Sequence, residues 1–191
     1  MDFGDTLAVT AKALNGRGDS VGVQFRWAGL DSILQIDSVT GVVVARFTGT
    51  GQIQARTGNL RSNPQPITVF LRADTAFADS TAARDSVSIS DKVDSLSDSI
   101  LVRIQNFGSG GPVGISGRTV TFALLYPPDT ISFKLSPRAV APTDLNGLAV
   151  VQVKLRQRAL PDSAVVQATV TRFNGVAVAG TPFTFVVRFY P

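Results

Sequence analysis

The chain has 191 residues, 44% of them hydrophobic, with 17 Gly, 10 Pro and a formal net charge of +4, a length that suits two small domains better than one. His, Cys and Glu are absent and all 14 acidic residues are Asp, which excludes imidazole acid–base chemistry, a Ser-His-Asp triad, a cysteine nucleophile and Cys/His zinc ligation. Without Glu the sequence lacks one of the better helix formers, while Asp, Gly and Pro favour turns, so short strands split by turns are expected.

From Thr6 to Arg72 hydrophobicity alternates with period two. Leu7, Val9, Ala11 and Ala13 share one face, and Val21, Val23, Phe25 and Trp27 repeat the pattern across the turn Asn15-Gly16-Arg17-Gly18-Asp19, which predicts a half-buried hairpin with Trp27 in the core. Arg17-Gly18-Asp19 is also a tripeptide read by integrins, but a tight turn with a positive-φ glycine is the simpler purpose. Further strands are predicted at residues 33–37, 42–47, 52–56 and 67–72, separated by Thr40-Gly41, Gly49-Thr50-Gly51 and Asn63-Pro64-Gln65-Pro66. This spacing is that of a β-sandwich.

The residues of this half carry a resemblance. Gly4-Asp5-Thr6-Leu7, Phe25-Arg26-Trp27, Ile36-Asp37-Ser38-Val39-Thr40-Gly41-Val42-Val43 and Gly49-Thr50-Gly51-Gln52-Ile53-Gln54-Ala55 resemble the group 2 bacterial immunoglobulin-like family. That family has one more strand before the Gly-Asp-Thr turn, so the resemblance implies a first sandwich short of its first strand, with an edge open for pairing.

Residues 73–98 change character, with six Asp against one Arg and one Lys, and read as an acidic joint. Within it Ser86-Val87-Ser88-Ile89-Ser90 alternates and is expected to be the first strand of the second domain. Five inward faces follow: Ile100, Val102 and Ile104; Val120, Phe122 and Leu124; Ala149, Val151, Val153 and Leu155; Val166, Ala168 and Val170; Phe183, Phe185, Val187 and Phe189. Gly111-Pro112-Val113, Arg118-Thr119-Val120-Thr121-Phe122 and Thr143-Asp144-Leu145-Asn146-Gly147-Leu148-Ala149 resemble the group 1, invasin and intimin type of bacterial immunoglobulin-like domain. The expected organisation is therefore all-β: two tandem antiparallel immunoglobulin-like sandwiches at residues 1–73 and 86–191, with an acidic linker at 74–85.

Candidate sites are few. Asp144 and Asn146 have the look of a calcium loop, but such a loop needs more acids and a terminal Glu, so a structural turn is preferred. Asp85, Asp91, Asp94 and Asp98 in the joint are the better calcium ligands, set against the ordinary composition of a solvated segment; no cofactor is otherwise expected. Residues 99–191 carry nine Lys and Arg against three Asp. Lys154, Arg156 and Arg158 alternate with Leu155 and Gln157, which puts three cations on one solvent face: a soluble surface, or a face for an anionic partner. Nucleic acid is not expected, because no aromatic residues interleave with these cations.

The longest apolar runs, such as Gly41 to Ala45 and Leu148 to Val151, are strand-sized, so no transmembrane helix is expected. Met1-Asp2-Phe3-Gly4 lacks the basic and apolar regions of a secretory signal. The absence of catalytic chemistry, together with the resemblance, implies a non-catalytic, membrane-extrinsic module of the periplasm or cell surface, of the kind that spaces adhesin domains. An extrinsic accessory subunit that docks on a membrane-associated protein assembly is the alternative, and a carbohydrate-binding protein a minor one.

Overall fold

In the computed structural model, which describes residues 1–79, 86–90, 92–108, 110–128, 132–157 and 163–190, the chain divides into two compact units, Met1–Arg72 and Ala73–Pro191. Among the described residues there are strands and turns and no helix, hence none long and apolar enough to cross a membrane. Both units are β-sandwiches, in which two sheets close over one apolar core.

In the first unit, β1 (Thr6–Ala8), β5 (Leu34–Ile36) and β6 (Val42–Ala45) form a sheet in the order β1-β6-β5. The facing sheet is built on β7 (Gly49–Thr57), which pairs antiparallel with β4 (Arg26–Gly29), β8 (Leu60–Arg61) and β9 (Gln65–Val69). Alternation along these strands sends Trp27, Leu34, Val43, Ala45, Ile53, Ala55 and Val69 into the core. Ahead of β1, Asp2 forms a single parallel bridge with Phe70, in which the Phe3 amide donates to the Phe70 carbonyl at 2.9 Å and the Phe70 amide to the Met1 carbonyl at 3.0 Å.

The predicted half-buried hairpin needs correction. β2 (Ala13–Leu14) and β3 (Ser20–Val21) pair only with each other, and Leu7, Leu14, Val21 and Val23 are exposed. The turn between them closes on Asn15, whose Oδ1 accepts from the amides of Arg17 and Asp19, with Gly18 at φ 87°. A two-residue ladder with no second sheet over it has nothing to bury its alternate residues against. Of the expected face, Trp27 is buried, and Phe25 packs on it with ring centroids 6.4 Å apart.

In the second unit one sheet runs β10 (Thr75–Ala78), β12 (Ile100–Gly108), β17 (Leu148–Leu155), β15 (Phe133–Ser136), with β13 (Gly111–Gly114) also on β12. The other runs β11 (Ser86–Ser90), β19 (Phe183–Tyr190), β18 (Ser163–Val170), β14 (Thr119–Tyr126), β16 (Val140–Pro142). Pairing is antiparallel except for β11 beside β19. Ile100, Val102, Ile104, Val120, Phe122, Ala149, Val151, Val153, Leu155, Val166, Ala168, Val170, Phe185 and Val187 are all buried in one core, as their alternation predicts. The side chain of Phe189 lies outside the described residues.

The linker expected at 74–85 also needs correction at its start. Thr75–Ala78 is a strand, paired antiparallel with β12. The acidic residues around it are engaged rather than solvated. Asp74 Oδ2 accepts from the Phe107 amide at 3.0 Å and from Asn106 Nδ2 at 2.9 Å. Asp79, buried, takes Arg103 Nε at 2.8 Å. Donors along β12 supply what water would otherwise give the Asp74 and Asp79 carboxylates.

Candidate functional site

Of the three cations that the sequence groups, the structure describes two. Lys154 and Arg156 sit at the end of β17, and Arg158 lies outside the described residues. Lys154 Nζ is 2.7 Å from Asp94 Oδ1, so its charge is compensated within the fold. Its cross-strand neighbour is Lys134, a like-charge pairing that Asp94 offsets. Arg156 is exposed beyond the strand, and its amide donates to the Ser132 carbonyl at 2.8 Å. Of the carboxylates considered for calcium, Asp94 holds Lys154 from a turn at φ 69°, Asp98 is exposed, and Asp85 and Asp91 lie outside the described residues. Among the described residues no three carboxylates gather as a metal site would require.

A different basic cluster is assembled by strand pairing. Arg118-Thr119-Val120-Thr121 at the start of β14 and Thr169-Val170-Thr171-Arg172 at the end of β18 are near mirror images in sequence. The two strands run antiparallel with Val120 opposite Val170 and Thr121 opposite Thr169. Antiparallel pairing of mirrored segments sets like against like: the valines point into the core, threonine faces threonine on the outer surface, and two arginines meet at the end of the ladder. There Gly117, Arg118, Thr119, Thr121, Thr169, Thr171, Arg172 and Phe173 line a cleft of about 290 Å³.

The two arginines are held differently. Arg118 is 4% exposed, and its guanidinium carbon lies 4.3 Å from the centre of the Phe173 ring, a cation–π stack. Burial, and then the neighbouring charge of Arg172, lower its pKa to about 10, so it remains a cation at neutral pH. Arg172 is half-buried, and its Nε donates to the Ala73 carbonyl at 2.9 Å. Among the described residues no carboxylate lines the cleft.

Arg118 owes its position to the turn that the sequence singles out at Thr143–Gly147. Thr143 is buried, and its Oγ1 accepts from the Arg118 amide at 2.9 Å while donating to the Ile115 carbonyl. The Thr143 amide returns a bond to the Arg118 carbonyl at 2.8 Å. Asp144 Oδ1 closes the turn by accepting from the amides of Asn146 and Leu148. Gly147, at φ 78°, lies where any Cβ would meet the Ile104 carbonyl and the backbone of Gly114 and Ile115. These bonds are those of a structural turn, with Asp144 facing amides.

Trp27 lines a second concavity of about 290 Å³ with Leu7, Val9, Ile53 and Ile67. Its walls are mostly apolar, and the indole belongs to the core of the first unit.

The strand pairing defines two all-β sandwiches in sequence. No known protein family matches the chain, and no curated protein matches it either. Solved structures overlap it loosely. The adhesin InvE of Yersinia pseudotuberculosis is 16% identical, with all of this chain and 56% of that one covered and a TM-score of 0.45. The D00-D0 domain of intimin is 14% identical over all of this chain and 95% of its own, with a TM-score of 0.39. Domains 4 and 5 of the S-layer protein SbsC are 17% identical over 97% of this chain and 82% of theirs, with a TM-score of 0.36. The sandwich assignment rests on the chain's own strand pairing.

Proposed function

We propose that this chain is a non-catalytic structural and binding module of a bacterial cell exterior, acting as a spacer within a surface or periplasmic protein. The observation that carries this reading is the tandem arrangement of two sandwiches, each closed over its own core. The polar chemistry supports it: Asp74, Asp79, Asp94 and Thr143 are all engaged in holding strands and turns together. Fractionation of the source cells, with protease applied to intact cells and to osmotically released periplasm, tests the placement. The chain is expected outside the inner membrane; recovery with cytosolic markers would overturn the reading.

A second reading, an extrinsic accessory subunit docked on a membrane-associated assembly, is favoured by the exposed apolar side chains of the first unit, among them Leu14 at 58%, Phe47 at 60% and Leu60 at 72% exposure. Solubilisation of the envelope in mild detergent separates the two readings. An accessory subunit migrates with a large complex, and a spacer migrates at the size of its own chain.

A further inference from the structure

We infer that the slot between the edges of β14 and β15 binds a single-chain alkyl carboxylate, its chain against the apolar walls and its head held by Lys134 and Arg138.

The slot exists because one strand is short. β16 pairs with β14 only at Thr119–Thr121, and β15 is the last strand of the facing sheet. Beyond Thr121, therefore, no strand among the described residues closes the gap between the two sheets at this edge. The chain crosses from one sheet to the other between β15 and β16, and the Phe122 amide donates to the Ala139 carbonyl at 2.7 Å, which fixes that crossover as an end wall. The cavity left has a volume of about 460 Å³, within the range of about 300 to 1,000 Å³ found for small-molecule sites. Phe122 and Phe133, buried in the core, line it from within. Leu124 and Leu135 also line it; both pack on the core yet are only half-buried, so each keeps a flank that an alkyl chain would cover.

Charge selects the head group. The lining has two polar side chains, Lys134 and Arg138, and both are exposed. Lys134 stands across from Lys154, whose charge Asp94 already meets. Among the described residues no ion pair reaches Lys134 or Arg138. An apolar slot whose polar lining is wholly cationic is complementary to a molecule with an alkyl tail and an anionic head, and a planar guanidinium is matched to the two oxygens of a carboxylate. Sheets in a sandwich stand about 10 Å apart, room for one layer of side chains, so the slot takes one chain and not the two of a bilayer lipid. The inference stands apart from the spacer reading, since it concerns one edge of the second unit whatever protein the chain serves.

Methyl NMR of the full chain, labelled at leucine and titrated with sodium dodecanoate below its micelle concentration, tests it. Saturable shifts are expected at Leu124 and Leu135 and not at Leu7, Leu14 or Leu60 of the first unit. Sodium decanoate, two methylenes shorter, is expected to bind about tenfold more weakly. Lys134→Gln combined with Arg138→Gln, both at exposed positions that leave the core untouched, is expected to raise the dissociation constant about fivefold or more and to remove its salt dependence. The proposal is overturned by absence of saturable shifts at Leu124 and Leu135, by dodecan-1-ol binding as tightly as dodecanoate, or by an unchanged dissociation constant in the double variant. Shifts that appear only with phosphatidylglycerol vesicles would make this edge a membrane contact and overturn it as well.

Discussion

The indole nitrogen of Trp27 lies 2.8 Å from the point where a Cβ on residue 41 would stand, and Gly41 occupies that position at φ 71°. The turn Asp37–Gly41 is therefore pressed against the core by the absence of a side chain. The Gly41 carbonyl accepts from the Val9 amide at 3.0 Å, which fixes the segment that follows β1. Gly41→Ala meets both a left-handed backbone and an overpacked contact, and is expected to lower the stability of the first unit by about 2–4 kcal/mol. Urea unfolding followed by the fluorescence of Trp27, the one Trp of the chain, measures it; a loss below about 1 kcal/mol would show that the indole moves aside without strain.

Asp37 supplies the pH dependence of the same turn. Its carboxylate accepts from the amides of Thr40 at 2.7 Å and Val39 at 2.9 Å, and these bonds, that of Thr40 foremost, hold its pKa below the ordinary 3.8. A carboxylate depressed in the folded state stabilises it above the unfolded pKa and loses that contribution as pH falls through the folded pKa. The window thus lies below about pH 4. Asp37→Asn keeps the turn geometry without the titration, so its stability is expected to fall less steeply than the parent's in that window. Parallel acid limbs in the two proteins would remove Asp37 from the account.

The second sandwich is more legible in the sequence than the first, for a physical reason. Eight- and nine-residue strands such as β12, β14, β17 and β18 repeat their alternation long enough to name a buried face, and Ile100, Val120, Val151 and Val166 lie where it puts them. Alternation at Leu7 or Val21 looks the same in sequence, but the strands there are two or three residues long and leave those side chains exposed. Charge in the sequence does not reveal pairing: Lys154 has Asp94 beside it, and Asp74 and Asp79 in the acidic joint are bonded to β12. The Arg118–Arg172 cleft is written in the chain as Arg-Thr-Val-Thr and Thr-Val-Thr-Arg. Those two segments are far apart in sequence, and Thr121 and Thr169 become neighbours only through the antiparallel register of β14 and β18.

Asp79 and Arg103 tie β10 to β12. Arg103 Nη2 lies 2.6 Å from Asp79 Oδ2, whose side chain is 5% exposed, and Arg103 Nη1 reaches the Asn146 carbonyl at 3.2 Å. Asp79 is buried while Arg103 stays partly exposed, so Asp79→Ala removes a charge-assisted bond without fully stranding a charge and is expected to destabilise the second unit by about 1.5–3 kcal/mol. Asp79→Ala combined with Arg103→Met is expected to lose less than the two single losses together, because the bond they share is lost only once. Denaturant unfolding followed by tyrosine emission, both tyrosines falling after Arg72, reads the effect. Strict additivity would mean that the pair is not coupled.

Thr143 is the point at which fold and cleft meet. Its hydroxyl accepts from the Arg118 amide and donates to the Ile115 carbonyl inside the protein. Thr143→Val preserves shape and removes both bonds, leaving a buried donor and a buried acceptor to find other partners, at about 2–4 kcal/mol. Thr143→Ser keeps the hydroxyl and gives up one methyl, and is expected to cost about 1 kcal/mol. The Arg118 amide provides a local readout that global stability does not: its hydrogen exchange is expected to speed up in Thr143→Val and to stay near the parent rate in Thr143→Ser. Equal exchange at Arg118 in both variants would show that the Thr143 amide, donating to the Arg118 carbonyl at 2.8 Å, suffices to hold the strand in place.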